Sequence, residues 1–416
     1  MEHRNWAGNY RYHAAEVATP GSVAEVQELV SRSSQLKALG TRHSFNGIAD
    51  TDAIQVSLER LNRVLHLDRE RQAVKVEGGI RYGDLCGYLH EQGYALRNLA
   101  SLPHISVAGA VATGTHGSGD RNGCLSTAVR GLEIVTADGS LKTLSRDDAD
   151  SDFAGAVVSL GGLGIVTAIT LDLVPAFDVR QYVYEGLPLD RLEEHLDDLF
   201  SCAYSVSLFT DWKAAAFNQV WVKRAEAAES GAPTELFGAA AAREHLHPVP
   251  GHGAEHCTEQ LGICGPWHER LPHFRMGFTP SSGEELQSEY FVPRERAYEA
   301  LCAIERLRTE IAPLLHVSEV RTVAKDDLWL SPCYGRNSVG IHFTWKPDEA
   351  AVRNLLPRIE EALAPFEARP HWGKIFTMPP ERVKALYEQH ARFRDLLLRW
   401  DPQGKFRNEY LSTYIF

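Results

Sequence analysis

No stretch of this 416-residue chain approaches the roughly 20 consecutive apolar residues that a membrane helix needs. The start, Met1-Glu2-His3-Arg4-Asn5-Trp6, lacks an apolar signal core. Together these make a soluble cytoplasmic protein the default expectation. Basic residues are the minority, and the net charge of −12 argues against nucleic acid or an anionic membrane as a partner. The seven cysteines (Cys86, Cys124, Cys202, Cys257, Cys264, Cys302, Cys333) are odd in number, scattered, and contain no C-x-x-C. They read as reduced structural thiols. The chain has no G-x-G-x-x-G and no G-x-x-x-x-G-K-[ST], so a bound dinucleotide is held by neither a Rossmann turn nor a P-loop. G-x-S-x-G, H-E-x-x-H and suggestively spaced carboxylate pairs are missing too, which leaves hydrolase chemistry without support. The histidines between 245 and 257 match no compact zinc spacing and are broken up by Pro and Gly, so no metal is expected there. That stretch reads as a loop crossing between lobes.

What is present is ample core: 44% hydrophobic and 24% charged residues over a length that suggests two domains, or one with an insertion. Residues 1–175 alternate short strands and helices. Val23, Val26, Leu29 and Val30 have helical spacing over 22–34, and 82–92 reads likewise. Residues 36–39 and 73–77 read as strands, and Asp138-Gly139 between two apolar runs marks a hairpin. A long strand over 165–174 is expected to stop at Pro175. Beyond 176 the texture changes. Strands over 204–209 and 218–222 surround an Ala-, Gly-, Pro- and His-rich segment, 225–280, that looks like an inserted lobe with long loops. Helices are expected over 294–311, 350–364 and 380–400, followed by a turn at 401–404.

Two glycine-bearing loops stand out, Gly40-Thr41-Arg42-His43-Ser44-Phe45-Asn46 and the run 106–117. Glycine allows close backbone approach and presents N–H donors, so two such loops suit one pyrophosphate-containing cofactor. His43 then sits where a cofactor ring could be held or bonded. Two strands carry polar side chains in alternation. Val339, Ile341, Phe343 and Trp345 face one way, while Ser338, Gly340, His342 and Thr344 face the other. Glu319 and Arg321 share a face at i, i+2, as either a surface ion pair or part of a pocket. If the two polar faces lie side by side, they form a hydrogen-bonding pocket for a polyhydroxylated ligand. Lys374 adds a point charge on a short, rigid segment.

On the stretches His43-Ser44-Phe45-Asn46, Ala100-Ser101-Leu102-Pro103-His104-Ile105-Ser106-Val107-Ala108-Gly109, Thr113-Gly114-Thr115-His116-Gly117 and Pro370-His371-Trp372-Gly373-Lys374, the chain resembles the alditol oxidases. These are members of the vanillyl-alcohol-oxidase-like superfamily with a PCMH-type FAD-binding domain, and the resemblance runs nearly end to end. It implies an α+β fold: a PCMH-type FAD-binding domain of two subdomains over 1–175, and an α+β substrate cap over 176–375 whose antiparallel sheet covers the flavin. Residues 376–416 return to the FAD domain. FAD would contact Gly40, Thr41, Arg42, His43, Ser44, Phe45, Ser101, Ser106, Gly109, Thr113, Gly114, Thr115, His116, Ile165, Val166 and His371. His43 matches the histidine linked covalently to the flavin. No cysteine occupies 100–103 to give a second link.

Ser101, Glu319, Arg321, His342, Thr344 and Lys374 match the family's substrate-site positions. The implied reaction oxidises a terminal alcohol of an alditol such as xylitol or sorbitol to the aldose, with dioxygen reduced to hydrogen peroxide. Arg321 and Lys374 are expected to stabilise a developing alkoxide and His342 to accept the proton. Ala100 is the small residue that favours oxygen access in relatives. The expected partners are a small polyol and dioxygen, with the protein acting as a monomer. An aldonolactone oxidoreductase on the same fold and a non-catalytic sugar-binding protein remain as alternatives.

Overall fold

The computed structural model describes residues 3–148, 152–225, 233–275 and 285–416. The helix Val23–Arg32 starts at Ser22, whose hydroxyl accepts from the Glu25 N–H, and it buries Val26, Leu29 and Val30. It packs beside a parallel three-stranded sheet in which Ile54–Ser57 lies between Glu16–Ala18 and Leu36–Leu39. An antiparallel five-stranded sheet follows, in the order Val64–Asp68, Ala73–Glu77, Ile165–Asp172, Val129–Val135, Leu141–Ser145. The Asp-Gly hairpin joins the last two strands. Gly139 supplies the left-handed turn at φ +82° and Ser140 O accepts from the Thr136 N–H.

Four local expectations change. The strand from 165 ends at Asp172, because the Leu173 N–H turns to Gln72 O. Val174–Pro175 then pairs with Tyr94–Ala95, so the proline sits inside a short edge pairing instead of stopping a strand. The run 106–117 is not all loop: Val107–Ala112 is a helix, formed of small residues despite the low helix propensity of Gly109. Residues 380–400 form two helices, Pro380–Ala385 and His390–Trp400, and 294–311 is similarly broken into Arg294–Arg296, Ala297–Glu305 and Arg308–Ile311.

A ten-stranded antiparallel sheet draws its strands from 178 to 370. Its central order is Asp178–Pro188, Ala216–Ala225, Ser205–Thr210, Leu315–Val323, Ser338–Trp345, Leu286–Pro293. Val339, Ile341, Phe343 and Trp345 are all fully buried on one face. The segment expected as an inserted lobe falls partly outside the described residues. Its described part adds short edge strands, Glu235–Leu236, Ala239–Ala241 and Gly265–Pro266, and loops that fold back over the sheet. The C-terminal segment returns to the first sheets. Lys405 O accepts from the Leu36 N–H, and the Asn408 amide donates to the carbonyls of Gly47, Ile48 and Asp50. Among the described residues, no helix is long and apolar enough to cross a membrane.

Candidate active site

A cavity of about 1360 Å3 lies between the two halves. Every site residue expected from the sequence lines it except Gly114 and Ile165. Strand side chains alternate, so Val166 reaches the cavity while Ile165 turns into the core with Val135 and Leu36. Gly114 instead makes the turn after the helix, at φ +68° against Pro332.

One wall is the ten-stranded sheet. Its register puts Phe209 opposite Glu319, Glu319 opposite His342, and His342 opposite Glu289. The two polar faces therefore do lie side by side, in one row across four strands. Glu289 is the centre of this wall, and nothing in the sequence singled it out. Its carboxylate meets Lys374 Nζ at 2.6 Å, Arg321 Nη2 at 3.1 Å and His116 Nε2 at 3.0 Å. Burial alone would raise the Glu289 carboxyl pKa, but Lys374, His116 and Arg321 reverse this and hold it well below the ordinary range. Gly340 leaves room beside this cluster. A Cβ there would lie 3.3 Å from Glu289 Oε1 and 3.5 Å from His116 Cε1.

Lys374 also donates to His342 Nδ1 at 2.6 Å, and His342 Nε2 lies 3.0 Å from Thr344 Oγ1. Burial first, then Lys374, push the His342 pKa down to about 4, against Glu289. Arg321 Nη1 donates to Ser101 Oγ at 3.3 Å, and Arg321 Nε lies 3.4 Å from Glu319 Oε1. The Glu319–Arg321 pair is thus buried in the pocket and not a surface bridge.

The other wall is made of loops. Trp6 stacks on His43 with ring centroids 5.0 Å apart, and Thr41 Oγ1 lies 3.1 Å from His43 Nδ1. Arg42 takes a left-handed φ of +63°, a strained choice for a side-chain-bearing residue, and that turn aims His43 inward. Burial, with His104 nearby, pushes the His43 pKa down to about 4. The His43 Nε2, both ring nitrogens of His104 and Ser106 Oγ are buried without hydrogen-bond partners. The loop is tied to the opposite wall: Phe45 N–H donates to Gly373 O, and the Asn46 amide donates to the carbonyls of Trp372 and Lys374. Trp372 is itself buried, stacked on Tyr387 and donating to Leu330 O. This fixes Lys374 relative to His43.

A family model described as an FAD binding domain matches residues 14–145, and one described as D-arabinono-1,4-lactone oxidase matches residues 282–414. An alditol oxidase from a Streptomyces species is 50% identical over 99% of this chain and 98% of its own length. The chain belongs to the alditol oxidase family. More distant relatives of this family member are the L-gulonolactone oxidase of Mus musculus, 27% identical over 100% of this chain and 98% of its own, and the L-gulono-1,4-lactone dehydrogenase of Mycobacterium tuberculosis, 29% identical over 98% and 97%. A solved cholesterol oxidase from B. sterolicum superposes with a TM-score of 0.80 at 14% identity, covering 100% of this chain and 96% of that one, which establishes the shared fold.

The residues of the loop wall fit an FAD. Gly40 and Gly109 face each other across Ser106, and a Cβ on either would come within 2.9 and 2.8 Å of Ser106 Oγ. A side chain on either would have to displace the Ser106 hydroxyl, while the facing backbone stands 3.7 Å or more away, so the two glycines keep this corner of the cavity open. The partnerless nitrogens and hydroxyl on that wall are groups that a polar ligand would satisfy. Among the described residues, no cluster of His, Cys, Asp or Glu is arranged to hold a metal ion.

Proposed function

We propose that this protein oxidises the terminal primary alcohol of an alditol, such as xylitol or sorbitol, to the aldose, with dioxygen reduced to hydrogen peroxide. The observation that carries this is the row Glu319–His342–Glu289 flanked by Arg321, Thr344 and Lys374, a wall of donors and acceptors facing one cavity with the loops that fit FAD. In this reading residues 1–175 and 376–416 hold the cofactor and 176–375 form the cap. Bound FAD supplies acceptance of hydride from the alcohol carbon and delivery of electrons to dioxygen.

The chain's own residues bind, orient and move the proton. Lys374 Nζ is shared between Glu289 Oε2 and His342 Nδ1. Turning one N–H from His342 to the substrate oxygen stabilises the developing alkoxide and frees His342 Nδ1 to take the hydroxyl proton. His342 is neutral near pH 7, as that step needs. Arg321 supplies the second positive charge, and Glu319, Ser101 and Thr344 hold the more remote hydroxyls, fixing the reacting carbon. His43 is proposed as the point of covalent attachment. It is neutral, buried, and has one ring nitrogen without a partner, which are the properties of an imidazole nucleophile. Ala100 lines the cavity as the small residue beside the flavin that would admit oxygen.

The test is the visible spectrum before and after anaerobic addition of xylitol, followed by acid precipitation. Yellow colour bleached by xylitol, with flavin in the pellet, is expected. Colour untouched by polyols but bleached by gulono- or galactonolactone would move the substrate to aldonolactones, a second reading favoured by the match over residues 282–414.

A further inference from the structure

Glu319 is held from behind by buried side chains that the reaction above does not use. His273 Nε2 lies 2.7 Å from Glu319 Oε1. The ring of His273 stands edge-on between Phe209, 5.3 Å away at 76°, and Trp221, 5.2 Å away at 85°, so it cannot swing. Behind it, Lys223 Nζ donates to Leu271 O at 2.6 Å, to Pro272 O at 3.1 Å and to His273 Nδ1 at 3.3 Å. The loop carrying His273 is pinned as well: Thr258 Oγ1 donates to Pro272 O, and the Thr258 N–H donates to His273 O.

The polarity of this chain follows from the inventory of donors. An ammonium has three N–H groups, and two of them go to carbonyls that can only accept. The third goes to His273 Nδ1, which must then present its lone pair. The ring proton is therefore on Nε2 and points at the Glu319 carboxylate. The opposite polarity would set an imidazole lone pair against a carboxylate oxygen. Burial pushes the Lys223 pKa down to about 7 and Glu319 opposes this; the Glu319 carboxylate, held ionised by Arg321 and His273 against its burial, calls for the same proton on Nε2. With Oε1 engaged by His273, Oε2 is the Glu319 oxygen left for a ligand.

We infer that Lys223 and His273 are positioning residues that fix the rotamer and the free lone pairs of Glu319, and through it the recognition of polyol hydroxyls remote from the reacting carbon. This rests on the alditol reading above. Part of the pocket's selectivity thereby comes from the histidine-rich segment, whose role is to deliver one imidazole to the back of a carboxylate.

The experiment measures kcat and KM of the holoenzyme for xylitol and for 1,2-propanediol, which keeps the terminal alcohol and lacks the remote hydroxyls. His273→Ala is expected to raise the xylitol KM roughly 10- to 100-fold, the loss of a hydrogen bond to a charged acceptor, with kcat within about threefold. The KM for 1,2-propanediol should rise several-fold less. His273→Gln, whose amide donates from a similar place, should recover most of the loss. Lys223→Met should raise the xylitol KM in the native background and add little in the His273→Gln background, since an amide donor needs no tautomer set for it. The flavin spectrum checks folding, and the His273→Gln and Lys223→Met variants keep the test readable if His273→Ala does not fold. An unchanged xylitol KM in both single variants, or equal losses in kcat and KM for both alcohols, would overturn the relay alone. A wild-type enzyme that oxidises neither alcohol would overturn the alditol reading and the relay with it, a failure seen before any variant is made.

Discussion

On the sheet wall of the cavity, Glu289 meets Lys374, Arg321 and His116 within 3.1 Å. On the loop wall, His43 Nε2, Ser106 Oγ and both nitrogens of His104 meet no partner. The sheet wall is largely satisfied within itself, Arg321 Nε being its one buried group without a hydrogen-bond partner, whereas four such groups cluster on the loop wall. On the proposed reading the sheet wall exchanges some of its pairs for substrate contacts, so binding there rearranges charges that are already in place. The loop wall needs no rearrangement, only a ligand whose acceptors and donors match. Preorganised charge belongs where a reaction develops charge, and backbone-lined space belongs where a large cofactor stays bound.

Four changes test how independent the walls are. Lys374→Ala or Arg321→Ala should lower turnover with xylitol about 10²- to 10³-fold, the scale of losing one electrostatic stabiliser, while flavin absorbance is kept. Near-native turnover would remove that residue from the chemistry. Glu289→Gln strips the counter-charge from the buried Lys374 and Arg321, and roughly 3–5 kcal/mol of stability should go with it in denaturant unfolding. A midpoint unmoved by this change would mean the cations find other partners. On the loop wall, His43→Ala should leave the cap intact and release flavin into the supernatant on acid denaturation; a persistent adduct would refute the assignment of the attachment point. The smallest effect is on pH. Burial pushes the pKa of His43, His273 and His342 down to about 4, from the ordinary imidazole value of about 6.5. Between those values the unfolded chain binds more protons, so stability should be full above about pH 6.5 and fall as pH drops towards 4. His273→Gln should flatten part of that slope, and a slope unchanged by it would show that His273 is not held neutral.

The sequence was most legible where geometry is local. A period of two put Glu319 with Arg321 and His342 with Thr344, and the sheet bore this out because a strand has only two faces. Gly40 and Gly109 were legible as the glycines of two loops, and the fold brings them together beside the Ser106 hydroxyl. Glu289 was not legible. A single carboxylate in an ordinary strand carries no spacing signal, and its meaning comes from Lys374, 85 positions away, and His116, 173 positions away. His273 was hidden for a related reason. In a segment with many histidines, only tertiary contact with Lys223 and Glu319 separates it from its neighbours. Helix breaks near 386–389 and the turn of Leu173 towards Gln72 were likewise set by packing partners and not by propensity.

The row from Phe209 through Glu319 and His342 to Glu289 runs across the strands, not along one. Its rungs are therefore spaced by the hydrogen-bonding distance between strands, about 4.8 Å, which no side-chain substitution alters. A mutation on this wall deletes a rung or changes its chemistry, but cannot slide it. Discrimination among ligands of different length is then stepwise, like reading against a ruler with fixed marks, and finer adjustment has to come from the loops that set where the ruler begins.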